Sequence, residues 1–195
     1  MLRSLRFSFI SLACLTILAI DALAQFGVPL NHTDPKLEPV TVRELVARYC
    51  RLDYAGARLN STDWVKLQPL VAWQANPDYS LFMATSRFDV DTDLVPEHGK
   101  YQVTVHYRLL GKYYMSEGYS QESANQVEDV HYVVAEVNGD WRITEAEPNY
   151  PHPSRAAALQ WLNKKLAEAP DPVAKTIYQH AVEQLQAQKA TPLGQ

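Results

Sequence analysis

His106, Asp129 and His131 are the residues whose chemistry is simplest to name, because an imidazole titrates near neutrality and a neighbouring carboxylate can orient it for proton transfer. His106 lies in the alternating run Tyr101–Leu109, and Asp129 and His131 lie in Val127–Val137, so strands are expected to carry all three. Facing a hollow, they would form a polar cluster. Facing water, they are simply the solvent side of a half-buried sheet. No metal or cofactor is expected: His98, His106, His131, His152 and His180 are scattered along the chain, and there is no Gly-rich phosphate loop and no Gly-x-Ser-x-Gly.

The aromatic residues add a second kind of surface. Tyr49, Trp73, Tyr107, Tyr113 and Tyr132, among others, surround the stretch where helices give way to strands. Tyr and Trp offer an apolar wall with a polar tip, which suits a small-ligand pocket and equally suits a packed core. Tyr49, Trp73, His106 and His131 are the expected ligand-lining residues. Cys50 lies in a helical pattern between Tyr49 and Arg51 and reads as a small core hydrophobe.

The N-terminus bears on address. Arg3 and Arg6 precede an apolar run from Phe7 to Ile20, followed by Asp21-Ala-Leu-Ala24. Basic, apolar, then small-x-small is the build of a secretory signal, with the cut expected between Ala24 and Gln25. The apolar run is shorter than the ~20 residues of a spanning helix, so no stable membrane anchor is expected. Loss of residues 1–24 removes Arg3, Arg6, Asp21 and Cys14, shifting the formal charge from -4 to -5 and leaving Cys50 without an internal partner. An exported, disulfide-free and acidic domain follows, periplasmic or secreted, with nothing to recommend nucleic acid as a partner.

The elements needed to position these residues are legible from period and punctuation. Residues 25–40 carry three prolines and read as an extended tether. Thr41 with Glu44 forms a capping box for a helix expected to reach about Leu59, its stripe including Val42, Leu45, Val46, Tyr49 and Cys50. Ser61-Thr-Asp63 opens a second helix that Pro69 kinks or restarts, and Asn76-Pro-Asp78 makes a turn.

From Leu81 the period becomes two. Leu81–Val90, Tyr101–Leu109, a continuation at Lys112–Tyr119, Val127–Val137 and Trp141–Glu147 are the expected strands, with Asn138-Gly139 as a hairpin turn. Ser154 caps a helix at Arg155–Glu168, with an apolar stripe of Ala158, Leu159, Leu162 and Leu166. Asp171-Pro172 opens another at Val173–Gln188, with Val173, Ile177, Ala181 and Leu185 on its stripe.

Two helices followed by antiparallel strands ending in Glu136-Val-Asn-Gly-Asp-Trp-Arg-Ile143 resemble the nuclear transport factor 2-like superfamily, which includes ketosteroid isomerases and polyketide cyclases. The resemblance implies an α+β fold in which the N-terminal helices pack in a curved antiparallel sheet, a cystatin-like cone roll, over residues 41–150. Two C-terminal helices at 151–189 and a tail at 190–195 are additions to it. Ala47-Arg-Tyr-Cys-Arg-Leu-Asp-Tyr-Ala-Gly56 is similar to the first helix of ketosteroid isomerases, which implies Tyr49 as an oxyanion-hole phenol.

An isomerase also needs a neutral acid and a general base, and the position implied for the acid is occupied by Val133. The expected function is therefore a non-catalytic module for a small apolar ligand or a protein partner, a second copy of the chain included. The alternative is an isomerase- or cyclase-type enzyme using Tyr49 with Asp129 or His131 as acid and base.

Overall fold

A computed structural model describes residues 38–91, 95–121 and 126–188. The expected signal, its cut at Ala24 and Gln25, the tether up to residue 37 and the tail lie outside the described residues. The protein is α+β, with a curved antiparallel sheet and four α-helices among the described residues.

Helix α1 spans Glu38–Tyr54. It starts one turn before the expected Thr41 cap, so residues 38–40 belong to the helix and not to the tether. Pro39 is no obstacle there, since N–H groups in a helix's first turn have no intrahelical acceptor. Val42, Leu45, Val46, Tyr49 and Cys50 form its buried stripe, as their spacing predicts.

The helix ends at Tyr54, short of Leu59. Gly56 takes a left-handed φ of 91°, and a side chain there would lie 3.0 Å from the Ala157 Cβ. A 3-10 turn at Ala57–Leu59 follows. The second helical region is broken into 3-10 turns at Ser61–Asp63 and Gln68–Leu70 around α2, Trp64–Leu67, because Pro69 stops propagation.

Strand β1 is Leu81–Val90, β2 Val95–Glu97, β3 Lys100–Tyr114, β4 Gly118–Gln121, β5 Val127–Val137 and β6 Asp140–Glu147. The continuation expected at Lys112–Tyr119 is split between the end of β3 and β4. The sheet order is β1-β3-β5-β6, with β2 and β4 also paired to β3. Asn138 and Gly139 have φ of 56° and 87°, the left-handed pair that a two-residue hairpin turn requires.

Helix α3, Arg155–Ala167, is capped by the Ser154 side chain, which accepts from the Ala157 N–H. Helix α4, Pro172–Ala187, is capped by Asp171, which accepts from the Val173 and Ala174 N–H groups. Two cores result. Helix α1 packs with Val103, Val105, Tyr107, Leu109, Val130, Tyr132 and Val134 in the first. Ala158, Trp161, Leu162, Ala181, Val182 and Leu185 of α3 and α4 pack with Phe82, Tyr113 and Tyr119 in the second.

Strand β1 serves both cores, Met83 in the first and Phe82 and Ala84 in the second. Val173, expected on the α4 stripe, stays 71% exposed, while Trp161 and Val182 take buried places instead. No helix among the described residues is long and apolar enough to cross a membrane.

The segment between β6 and α3 is tied along β1. Met83 N–H donates to the Pro151 carbonyl and Thr85 N–H to the Pro153 carbonyl, each at 2.9 Å, and Thr85 and Ser154 form a parallel bridge. This strap covers part of an otherwise open strand edge. It also carries His152 into the interior, where it is 1% exposed.

Candidate functional site

The two strand histidines and Asp129 share one side of the sheet, opposite Tyr49. In β3 the side chains of Val103, Val105 and Tyr107 are buried beneath α1, and in β5 those of Val130, Tyr132 and Val134 are. Strict alternation sends His106, Asp129 and His131 the other way. Register then pairs them: His106 is opposite Asp129 and Thr104 opposite His131.

His106 Nδ1 lies 2.6 Å from Asp129 Oδ1, and His131 Nδ1 lies 3.2 Å from both the Gln102 amide and the Thr104 hydroxyl. Tyr49 is therefore not brought together with Asp129 or His131. Of the expected lining residues, Tyr49 and Trp73 pack with the first core, whereas His106 and His131 lie on the outer face.

The hydrogen bond that His106 donates to Asp129 is the main reason its imidazole titrates above its ordinary 6.5, with the charges of Asp129, Asp91 and Asp89 adding to it against partial burial. A raised histidine pKa means that the pair stabilises the fold below the unfolded value and that the contribution is lost as pH rises through the folded one. With His106 39% and Asp129 52% exposed, the effect is a few tenths of a kcal/mol. An NMR titration of the His106 ring is expected to show a midpoint above 6.5 that Asp129→Asn moves back down; equal midpoints in the two proteins would remove the ionic pair.

A different polar cluster occupies the interior, built from four parts of the chain. Tyr49 and Asp53 are one helical turn apart on α1 and share its buried stripe. Arg58 follows from the 3-10 turn that Gly56 permits and is 2% exposed. His152 arrives on the strap, and Glu128 faces inward near the start of β5, in phase with Val130 and Tyr132.

His152 donates its backbone N–H to Asp53 Oδ2 at 2.9 Å, and its ring Nε2 lies 2.9 Å from Glu128 Oε2. The Tyr150 hydroxyl donates to the other Glu128 oxygen. The Tyr107 ring stacks on the His152 imidazole with centroids 4.1 Å apart. Arg58 donates through Nε to Asn76 Oδ1 at 3.2 Å and through a terminal nitrogen to the Asn149 carbonyl at 3.5 Å.

The electrostatics follow from burial. Asp53 is raised, first by desolvation, with Arg58 and His152 opposing. Burial also lifts Glu128, but the hydrogen bonds from His152 and Tyr150 outweigh it and leave that carboxyl below its ordinary range. Tyr49 is raised by burial, with the neighbouring Arg58 guanidinium opposing. Cys50 is pushed up to about 12 by burial, so its thiol stays protonated and unreactive.

Four buried polar atoms in this cluster have no hydrogen-bond partner of regular geometry: the Tyr49 hydroxyl, Asp53 Oδ1, Asn149 Oδ1 and His152 Nδ1. Trp73 Nε1, elsewhere against the same core, is a fifth. Unpaired buried polar atoms are scarce because each forfeits about 1–3 kcal/mol of hydration. Here they gather around one guanidinium and provide both donor and acceptor capacity. Among the described residues no group of three or more His, Cys, Asp or Glu side chains is arranged to hold a metal ion.

Asp53, Arg58, Glu128 and His152 are the residues sequence reasoning passed over. Two of them carried a signal. Asp53 stands one turn beyond Tyr49 on an apolar stripe, and Glu128 shares the parity of Val130, Tyr132 and Val134. Arg58 and His152 carried none, since each reaches the cluster through an irregular segment. Comparison with known proteins finds no matching family model, no matching curated protein and no matching solved structure.

Proposed function

We propose that this protein is an exported, non-catalytic binding module of the nuclear transport factor 2-like kind, in which α1 lies in the concave side of the sheet as in a cone roll. It takes a small, largely apolar ligand bearing one hydroxyl or carbonyl group. The observation that carries this reading is the set of buried polar atoms around Arg58 that lack a hydrogen-bond partner of regular geometry, namely Asp53 Oδ1, Asn149 Oδ1, His152 Nδ1 and the Tyr49 hydroxyl, the last within the influence of the Arg58 guanidinium. A carbonyl would accept from Tyr49, and a hydroxyl would donate to Asp53. The rest of the ligand would meet the first core, which includes Tyr107, Tyr132 and Trp73.

Charge favours a neutral ligand. Arg58 is accompanied by Asp53, and His152 by Glu128, so neither an anion nor a cation finds an uncompensated partner there. Residues 72–79 and 148–150, partly exposed and tied to Arg58 through Asn76 and Asn149, form the rim through which a ligand would enter.

The test is mass spectrometry of the exported full chain, sprayed from native and then from denaturing solvent. One small apolar molecule per chain is the expected result. Tyr49→Phe, which removes only the hydroxyl, is expected to lower its occupancy by about 2–10-fold, the worth of one neutral hydrogen bond. A chain that carries nothing, and that Tyr49→Phe merely stabilises, overturns the reading.

A further inference from the structure

We propose that a groove between the 57–63 turn and α3 is a second site, one that binds the phosphate or sulfate group of a small polar molecule. The groove holds about 160 Å³ and is lined by Asn60, Ser61, Thr62, Lys164 and Lys165, with Trp161 at its base. At about 30 Å³ per water this is room for roughly five waters, the size of an oxyanion and a short stub and too small for a peptide.

The polar part of the lining is rich in donors. Two lysines, a serine and a threonine line it beside Leu59 and Trp161, and no Asp or Glu is among the lining residues, although acidic residues outnumber basic ones in the chain as a whole. The Ser61 and Thr62 hydroxyls and the Lys164 ammonium make no hydrogen bond or ion pair with any described residue. Of the nearby acids, Asp63 is held by Lys66 at 2.5 Å, and Glu168 lies 4.0 Å from Lys165, at the limit of an ion pair that an incoming anion would replace.

Lys165 lies over the Trp161 ring, its Nζ 5.6 Å from the centroid and one helical turn on, which holds its stem against the groove wall. Trp161 is itself fixed by Phe82 and Tyr113 in the second core. The site therefore has a rigid base, one ammonium held over it and a second on the exposed Lys164, an arrangement that suits a compact multiply charged anion better than a planar carboxylate, which favours the fork of an arginine. It shares the 57–63 turn with Arg58, but its lining includes none of Tyr49, Asp53, Arg58, Asn149 and His152, so separate substitutions test the two sites.

The experiment titrates the full 15N-labelled chain with inorganic phosphate and sulfate against chloride at matched ionic strength. Saturable shifts confined to residues 59–62 and 161–165 are expected with phosphate and sulfate, and none with chloride. Lys164→Gln and Lys165→Gln are each expected to weaken binding about fivefold, and the pair to abolish saturation, while the melting temperature stays put.

Should the double variant fail to fold, Ser61→Ala with Thr62→Ala is expected to weaken phosphate without altering charge. Glycerol 3-phosphate and vesicles containing phosphatidic acid identify the source: tighter binding of the soluble ester assigns a metabolite, vesicle co-sedimentation a lipid headgroup, and parity with phosphate the free anion. Shifts that chloride reproduces, or that survive both lysine substitutions, overturn the site.

Discussion

Arg58→Met is expected to cost about 3–5 kcal/mol, the usual penalty for leaving a buried charge without its compensating neighbour. For a domain of this size that lowers the melting temperature by roughly 10 °C or more. Arg58 is 2% exposed and Asp53 1%, so loss of the guanidinium leaves a carboxylate in the interior with no cation but a nearby imidazole. The same substitution removes the guanidinium's hydrogen bonds to Asn76 Oδ1 and the Asn149 carbonyl, while the Asn76 amide keeps its bond to the backbone carbonyl of residue 58, and loosens the rim above the cluster.

A pH signature separates this cause from simple loss of packing. Asp53 already has a raised pKa, and removing Arg58, the largest influence opposing that rise, raises it further. A carboxyl whose folded pKa lies above its unfolded value keeps its proton longer in the folded state, so stability falls as pH rises from the unfolded value through the folded one. The deficit of Arg58→Met measured by urea unfolding should thus be smaller near pH 4 than at pH 7. Adding Asp53→Asn, which keeps an oxygen for the His152 N–H but carries no charge, should recover more than half of it. A deficit below about 1 kcal/mol at pH 7, like that of an ordinary surface change, would mean that Asp53 is neutral in the parent protein.

Trp161→Ala is expected to cost about 3–5 kcal/mol, the range for removing a large aromatic from a core. Its ring lies 5.5 Å from Phe82, 5.8 Å from Tyr113 and 6.4 Å from Tyr178, centroid to centroid, so one side chain links β1, β3 and α4 to α3. Because these contacts all belong to the second core while α1 packs in the first, the loss should be local first. Hydrogen exchange is expected to show amides of α3 and α4 losing protection ahead of those of α1. Uniform loss of protection across the chain would show that the two cores unfold as one.

Much of the frame is legible in local sequence patterns. Leu81–Val90 and Val127–Val137 have the bounds that their alternation predicts, and the Asn138-Gly139 turn and the Ser154 and Asp171 caps act as their side-chain chemistry requires. These are local effects, decided within a few residues by backbone sterics and hydrogen bonding. The start of α1 departs from expectation for a local reason too: the Thr41–Glu44 capping box competes with a helix that Pro39 can begin.

The site is less legible. Alternation states that His106 and His131 face away from Tyr107 and Tyr132, but which of those faces becomes the interior depends on where α1 packs, and no stretch of β3 or β5 contains that information. Once α1 lies against Val103, Val105, Val130 and Val134, the histidines face outward and Glu128 faces in. Arg58 and His152 join it only because a left-handed glycine and a strap tied to β1 bring residues far apart in the chain into one cluster. Period, caps and turns are properties of neighbours in the chain, so the sequence alone specified the elements; a buried charge cluster is a property of neighbours in space, and it forms only when those elements pack.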